Sequence, residues 1–88
     1  MEKLLKAFSS ATRLEILDCI QQGLNSIDEL VEKMNKHRST INNHLKILTD
    51  AEAIKKIQFV NKQNQKIFTY TLEKKANVLL ATIKHLMK

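Results

Sequence analysis

The spacing of apolar residues changes twice along this 88-residue sequence, and this change constrains the fold more than any other feature. Up to Thr49 the apolar residues recur every three or four positions, which is the period of a helix with one buried face. Between Ala53 and Leu72 they are β-branched or aromatic and alternate with polar residues, as in strands. Helical spacing then returns. The sequence therefore predicts a mainly α fold with a small β-hairpin, an α+β class.

Local signals divide the part of the chain before the hairpin into four helices. A short apolar piece over about residues 2–8 is followed by a helix that Ser9 or Ser10 can cap and that Gly23 can end. Two further helices precede the hairpin, and a last helix covers about residues 74–87. The predicted order of elements is α-α-α-α-β-β-α.

Length and charge limit the kind of protein. A chain of 88 residues has room for one core, so we expect residues 1–88 to form a single domain. Its 15 Lys and Arg against 9 Asp and Glu give a net charge of +6. This charge favours a polyanionic partner, nucleic acid before an anionic membrane. A lysine-rich surface that only keeps the protein in solution is the alternative.

The rare residue types exclude several functions. Gly23 is the only glycine and there is no proline, so glycine-rich phosphate loops and dinucleotide fingerprints are absent from the sequence. The single cysteine, Cys19, excludes an intrachain disulfide framework. The N-terminus has no apolar signal core, and no apolar run approaches the ~18 residues of a membrane span. We therefore expect a cytoplasmic protein with no membrane partner.

The stretch "MNKHRSTINNHLKIL", residues 34–48, contains the fourth predicted helix and separates its side chains by face. At about 100° per residue, Ile41, Leu45 and Leu48 point to the core. His44 lies near the core margin, where a packed or phosphate-bonded histidine is commoner than a catalytic or metal-binding one. The side chains that point away are polar: Ser39, Asn42, Asn43 and Lys46, with Thr40 at one margin.

A solvated helix face would usually carry Glu and Lys, which are good helix formers. Two adjacent asparagines in mid-helix are a poor choice by that measure, so we interpret the face as functional. Two short helices joined by a tight turn, with the second one polar-faced, form a helix-turn-helix, and a basic hairpin directly after it gives a winged helix. The second helix of such a unit lies in the DNA major groove.

The residue types of this face suit base and phosphate contacts. Asparagine can pair with adenine, serine with either base edge, and a threonine methyl with thymine. Lysine suits phosphate, while Arg38 in the first turn could reach phosphate or guanine. The hairpin carries four lysines and a polar loop, "NKQNQ", whose lack of glycine predicts a longer turn. The predicted DNA-binding residues are Arg38, Ser39, Thr40, Asn42, Asn43, Lys46, Lys62 and Lys66.

Three segments resemble one family. "LKAFSSATRLEILDCI" resembles the opening of the ArsR/SmtB winged-helix repressors, "RSTINNHLKIL" resembles their recognition helix, and "KIFTYTL" is similar to their wing strand. The resemblance covers about residues 4 to 72. It implies a homodimer that binds operator DNA and usually represses transcription. Because such dimers pair through the first and last helices, it also implies a dimer surface made by Leu4, Leu5, Phe8, Leu79, Ile83 and Leu86.

The sequence departs from this family where many members bind metal. Asn25, Ser26 and Ile27 stand where a cysteine pair is usual, and the last helix offers His85 without an accompanying set of acids and histidines. Since a zinc site needs about four ligands, we expect no metal and no cofactor. Cys19 is interpreted as a buried structural thiol rather than a redox switch.

Two other classes of function are alternatives to a DNA-binding regulator. A winged helix can be a protein-interaction or assembly module with no role on DNA, because a fold does not determine a function. Such a module would not need a basic hairpin or a neutral polar helix face. An enzyme is the least favoured reading, since no carboxylate pair or nucleophile–base set has a useful spacing.

Overall fold

The computed structural model describes residues 2–86 as five helices and one antiparallel hairpin, and it confirms the predicted fold class and element order. Met87, which the sequence placed in the last helix, lies outside the described residues. The elements are α1 (Glu2–Ala7), α2 (Ala11–Gln21), α3 (Ile27–Met34), α4 (Arg38–Asp50), β1 (Ile54–Val60), β2 (Lys66–Leu72) and α5 (Lys74–Leu86).

The boundaries of α2 follow from its two ends. Ser10 is the N-cap, and its hydroxyl oxygen accepts a hydrogen bond from the Arg13 backbone N–H at 3.3 Å. At the other end Gly23 has a φ of +99°, and the Leu24 N–H donates to the Cys19 carbonyl at 2.9 Å. This is the Schellman arrangement, in which the residue after the helix takes the left-handed conformation that glycine adopts most easily.

One cluster of apolar side chains forms the core, and every helix contributes to it. The helix α4 supplies three of its most deeply buried members, Ile41, Leu45 and Leu48. The side chain of Cys19 is also buried, as the sequence predicted. Because one face of α4 is fixed in this core, its opposite face is held outward.

The hairpin extends from the core into solvent. Ile54 is the buried residue of β1, and Tyr70 is the buried residue of β2. The backbone N–H of Tyr70 donates to the Asn25 carbonyl at 2.9 Å, which joins the hairpin to the loop before α3. The loop between the strands has the five residues that the sequence predicted. Asn64 takes the left-handed conformation there, with φ +61°, and the Asn61 carboxamide oxygen accepts hydrogen bonds from two loop N–H groups.

Candidate nucleic-acid interface

Between Arg38 at its start and Lys46 near its middle, the outward face of α4 is neutral and polar. Five of the side chains that the sequence assigned to DNA are exposed here and lie on one helix, namely Ser39, Thr40, Asn42, Asn43 and Lys46. The core residues beneath them are at most 2% exposed, so the helix cannot rotate without uncovering apolar surface. The geometry presents a rigid row of hydrogen-bonding groups to solvent.

Arg38 begins α4 and forms an exposed ion pair with Asp28 of α3. This pair joins the two helices of the helix-turn-helix across their short connection. Both side chains are more than half exposed, so the pair contributes little to stability and Arg38 can exchange its partner. The sequence had assigned Arg38 to DNA without identifying this carboxylate.

His44 is half-buried at the core margin of α4 and contacts Arg13 of α2, with 3.2 Å between Nη1 and Nδ1. Because arginine can only donate, Nδ1 accepts, and the hydrogen-bond pattern assigns the ring proton to Nε2. Burial lowers the pKa of His44, and the positive charges of Arg13 and Lys36 lower it further. The ring is therefore the neutral acceptor that the contact with Arg13 requires.

Arg13 was missed by the sequence reasoning as a residue that supports the interface. Besides His44, its guanidinium donates from Nε to the Ala7 carbonyl at 2.9 Å and from Nη2 to the Lys6 carbonyl at 3.1 Å. It thus links the end of α1, the start of α2 and the middle of α4. An arginine embedded in an apolar helical repeat was the available signal, since such a residue needs several acceptors.

Two of the hairpin lysines share one face of the strands, and a third lies in the loop. Lys62 is in the loop, while Lys56 and Lys66 lie on the face that also carries Phe68 and Tyr70. That face borders α4, because a groove of about 290 Å³ is lined by Lys46 on one side and by Lys56 and Tyr70 on the other. Lys62 and Lys66 are exposed, as their predicted contact with DNA requires. The pKa of Tyr70 is raised by burial, so its hydroxyl stays neutral.

The six residues assigned to dimerisation divide into three groups. Leu4 and Phe8 are buried in the core of this chain. Leu79 and Ile83 are half-buried and pack against that core. Leu5 and Leu86 are exposed, at 57% and 77%. The terminal helices therefore keep free apolar surface mainly at these last two positions and at Val78, which the sequence reasoning did not single out.

A metal site, a reactive thiol and a membrane-spanning helix each require particular side chains, and the described residues bear on all three. Within residues 2–86 no group of three or more His, Cys, Asp or Glu side chains is placed to hold a metal ion. Burial raises the pKa of the Cys19 thiol, and the nearby Glu15 and Asp18 raise it further, which disfavours the reactive thiolate. None of the described helices combines the length and apolarity that crossing a bilayer requires.

A helix-turn-helix with an exposed polar second helix and an adjoining basic hairpin defines a winged-helix DNA-binding protein. The model of the family "bacterial regulatory protein, arsR family" matches residues 10–56, from the cap of α2 into β1. The chain is also similar to the transcriptional repressor SdpR of Bacillus subtilis (strain 168). The two are 36% identical over 63 residues, which is 68% of this chain and 70% of that protein.

The chain belongs to the ArsR family. This confirms the family that the sequence resemblance indicated, and it makes the protein a DNA-binding transcriptional regulator rather than an enzyme. In winged-helix nomenclature α4 is the second helix of the helix-turn-helix, which is the position of a recognition helix, and the hairpin β1–β2 is the wing.

Proposed function

We propose that the protein acts as a homodimeric repressor that binds an inverted-repeat operator through α4 and responds to no metal. The observation that carries this proposal is the outward face of α4, where four neutral hydrogen-bonding side chains, Ser39, Thr40, Asn42 and Asn43, lie exposed over a fixed apolar face. Such groups read base edges in the major groove, where each base pair presents a distinct pattern of donors and acceptors.

The contacts fall into two kinds. Asn42 and Asn43 read bases, since a carboxamide can donate to and accept from adenine at the same time. Lys46 and the wing residues Lys62 and Lys66 contact phosphates, which gives affinity without sequence preference. Arg38 leaves Asp28 for a phosphate or a guanine when DNA binds, because an exposed ion pair is easily exchanged.

Repression and dimerisation are supported by different observations. The similarity to a protein named as a transcriptional repressor favours repression. Exposed leucines on α1 and α5 favour pairing of two copies, since exposed apolar side chains on terminal helices are covered most simply by a symmetric copy. Two-fold symmetry then places the two recognition helices about 34 Å apart, or one turn of DNA.

The metal-free part of the proposal rests on the residues at the positions where relatives carry ligands. Ser26 is the N-cap of α3, and its hydroxyl and backbone N–H are engaged with Glu29 in a capping box. His85 on α5 is exposed. A single histidine falls short of the ligand number that zinc needs.

The test is a selection of bound duplexes from a random pool at moderate salt, followed by mobility shifts on the winning sequence. We expect an inverted repeat. Asn42→Ala and Asn43→Ala should each lose about 1–3 kcal/mol of discrimination at one base position of each half-site. Asn77→Ala is the control, because Asn77 is an exposed asparagine outside α4, on α5, where its carboxamide oxygen accepts a hydrogen bond from Gln21.

Three outcomes would contradict parts of the proposal. Unchanged sequence preference in both α4 variants would show that another face reads the bases. A winning site without two-fold symmetry would exclude the proposed symmetric dimer on DNA. Absence of duplex binding even at low salt, combined with salt-insensitive binding to a protein, would indicate an interaction module instead.

A further inference from the structure

A groove between α4 and the wing has a lysine on each of two facing elements. Lys46 and Asn42 line the groove on the α4 side. Lys56 of β1 and the buried Tyr70 line it on the wing side. Within residues 2–86 neither lysine forms an ion pair with a carboxylate. The groove therefore brings together two lysines that form no ion pair, on surfaces that belong to separate elements, and one acidic residue, Asp50, also lines it.

Lys56 is held in place by an aromatic ring. Its Nζ lies 4.3 Å from the centroid of the Phe68 ring, on the neighbouring strand. The register explains the contact, because Lys56 pairs with Tyr70 and Phe68 follows on the same face two residues away. Attraction between an ammonium and the ring face restricts a side chain that would otherwise sample many rotamers. The charge stays accessible while its position is fixed.

Lys55 provides an internal comparison. It is adjacent to Lys56 on the same exposed strand, but it pairs with Thr71 and lies on the opposite face of the hairpin. The two lysines have the same charge and both are exposed. Only Lys56 lines the groove. Any effect that depends on net charge alone should be equal for the two positions.

We propose that Lys46 and Lys56 together bind one phosphate of the DNA backbone in this groove, with Phe68 as the positioning residue for Lys56. The proposal rests on the proposed function, because it takes the phosphate from DNA that α4 binds. A phosphodiester is a single negative charge, which two ammonium groups on facing walls can share. Asp50, which also lines the groove, would repel an anion that approached its carboxylate.

Such a site would couple the two DNA-binding elements. The phosphate would touch α4 and the wing at once, so it would fix the depth of the recognition helix and the direction of the wing together. Contacts to phosphate carry no sequence information, but they determine which bases the helix can reach. The site would therefore strengthen binding to all sequences and would not select among them.

The first test measures the salt dependence of binding to a 30-bp duplex of random sequence. Loss of one phosphate contact reduces the steepness of log K against log salt by about 0.9. If a variant and the wild-type protein bound equally at 1 M salt, the variant would then bind about eightfold more weakly at 0.1 M salt. Because Lys46 and Lys56 share one phosphate, we expect this full change only for the double variant Lys46→Met with Lys56→Met. Of the single wing variants, Lys56→Met should reduce the steepness at least twice as much as Lys55→Met. Equal changes in the two variants would overturn the phosphate site.

The second test separates positioning from direct contact. Phe68→Leu, which keeps an apolar side chain but removes the ring, should weaken binding about twofold to fivefold. Phe68→Tyr, which retains the ring, should restore wild-type affinity. In the Lys56→Met background Phe68→Leu should have no further effect. A further loss there would mean that Phe68 contacts DNA itself, and it would overturn the positioning role.

The outcomes distinguish this inference from the proposed function. If the wild-type protein bound no duplex at low salt, the proposed function and the phosphate site would both be wrong. If the wild-type bound duplex DNA but Lys55→Met and Lys56→Met behaved alike, only the phosphate site would be wrong. Thermal melts of each variant ensure that lost binding is not lost folding. Lys56→Met is the least disruptive change, because Lys56 is exposed.

Discussion

Among single residues, the ionisation of His44 matters most to the recognition helix. Its neutral ring accepts from Arg13, which also holds the end of α1 through two backbone carbonyls. A proton on Nδ1 would place two cations against each other at 3.2 Å and remove the acceptor. Acid should therefore loosen the link between α1 and α4 before it affects more distant parts of the core.

This link predicts a pH dependence of stability. The pKa of His44 is lowered in the folded chain by burial, by Arg13 and by Lys36. As the pH falls below about 6.5, the unfolded chain takes up a proton at this position before the folded chain does. The free energy of unfolding should therefore decrease as the pH falls from about 6.5 to the pKa of His44 in the folded chain, which is lower. Above about pH 6.5 His44 is neutral in both states and does not change the stability.

Denaturant melts between about pH 7.5 and pH 5 would measure this loss. His44→Gln should flatten the decrease, because glutamine does not titrate. His85→Gln, at an exposed histidine of α5, is the control and should leave the slope as in the wild-type protein. An equally steep decrease in His44→Gln would show that other groups are responsible.

At the scale of elements, the ends of α2 are set by local chemistry. The sequence left Ser9 and Ser10 as alternative caps, and the structure assigns the role to Ser10. The hydroxyl of Ser9 instead donates to the Lys6 carbonyl at 2.6 Å, at the end of α1. Two neighbouring serines thus have different functions, although nothing in their side chains distinguishes them.

A pair of substitutions tests this assignment. Ser10→Ala removes the acceptor for the Arg13 N–H and should lower the free energy of unfolding by about 1 kcal/mol. Ser9→Ala, at an exposed residue that is not the N-cap, should change it by less than about 0.5 kcal/mol. Chemical denaturation with an unchanged m-value would measure both. The reverse order would place the cap one residue earlier.

The elements also show what could be predicted from sequence and what could not. The helical and strand periods are local, so they predicted the order of elements and the outward face of α4. The contact of Arg13 with His44 joins residues 31 positions apart, and it depends on how α2 packs on α4. The contact of Lys56 with Phe68 depends on the hairpin register, which no single strand determines.

At the scale of the whole molecule, exposed apolar side chains fall into two regions. One is on the terminal helices, where Leu5, Val78 and Leu86 are each more than half exposed. The other is on the hairpin, where Val60 is 55% exposed and Ile57, Phe59 and Phe68 are between 40% and 46% exposed. Leu4 and Phe8, which the sequence also assigned to a dimer surface, already serve the core. A dimer formed by α1 and α5 would thus bury few apolar side chains, and each of them should contribute strongly to the Kd of the dimer.

Leu86 is the side chain on which that dimer can be tested most directly. At 77% exposure it contributes little to the core, so Leu86→Gln should leave the folding of one chain intact. Burying a leucine contributes about 1.5–3 kcal/mol, and two-fold symmetry counts the contact twice. The substitution should therefore raise the Kd of the dimer by about a hundredfold or more.

Sedimentation equilibrium over a range of protein concentrations would measure this Kd without DNA. Ile57→Gln on the wing is the matched control, since it removes an exposed apolar side chain outside the terminal helices and should leave the Kd unchanged. Because an inverted repeat engages both copies, Leu86→Gln should also weaken operator binding while single half-site binding persists at high protein concentration. Equal effects of the two substitutions would place the dimer surface elsewhere, and a monomeric wild-type protein that binds isolated half-sites would exclude it.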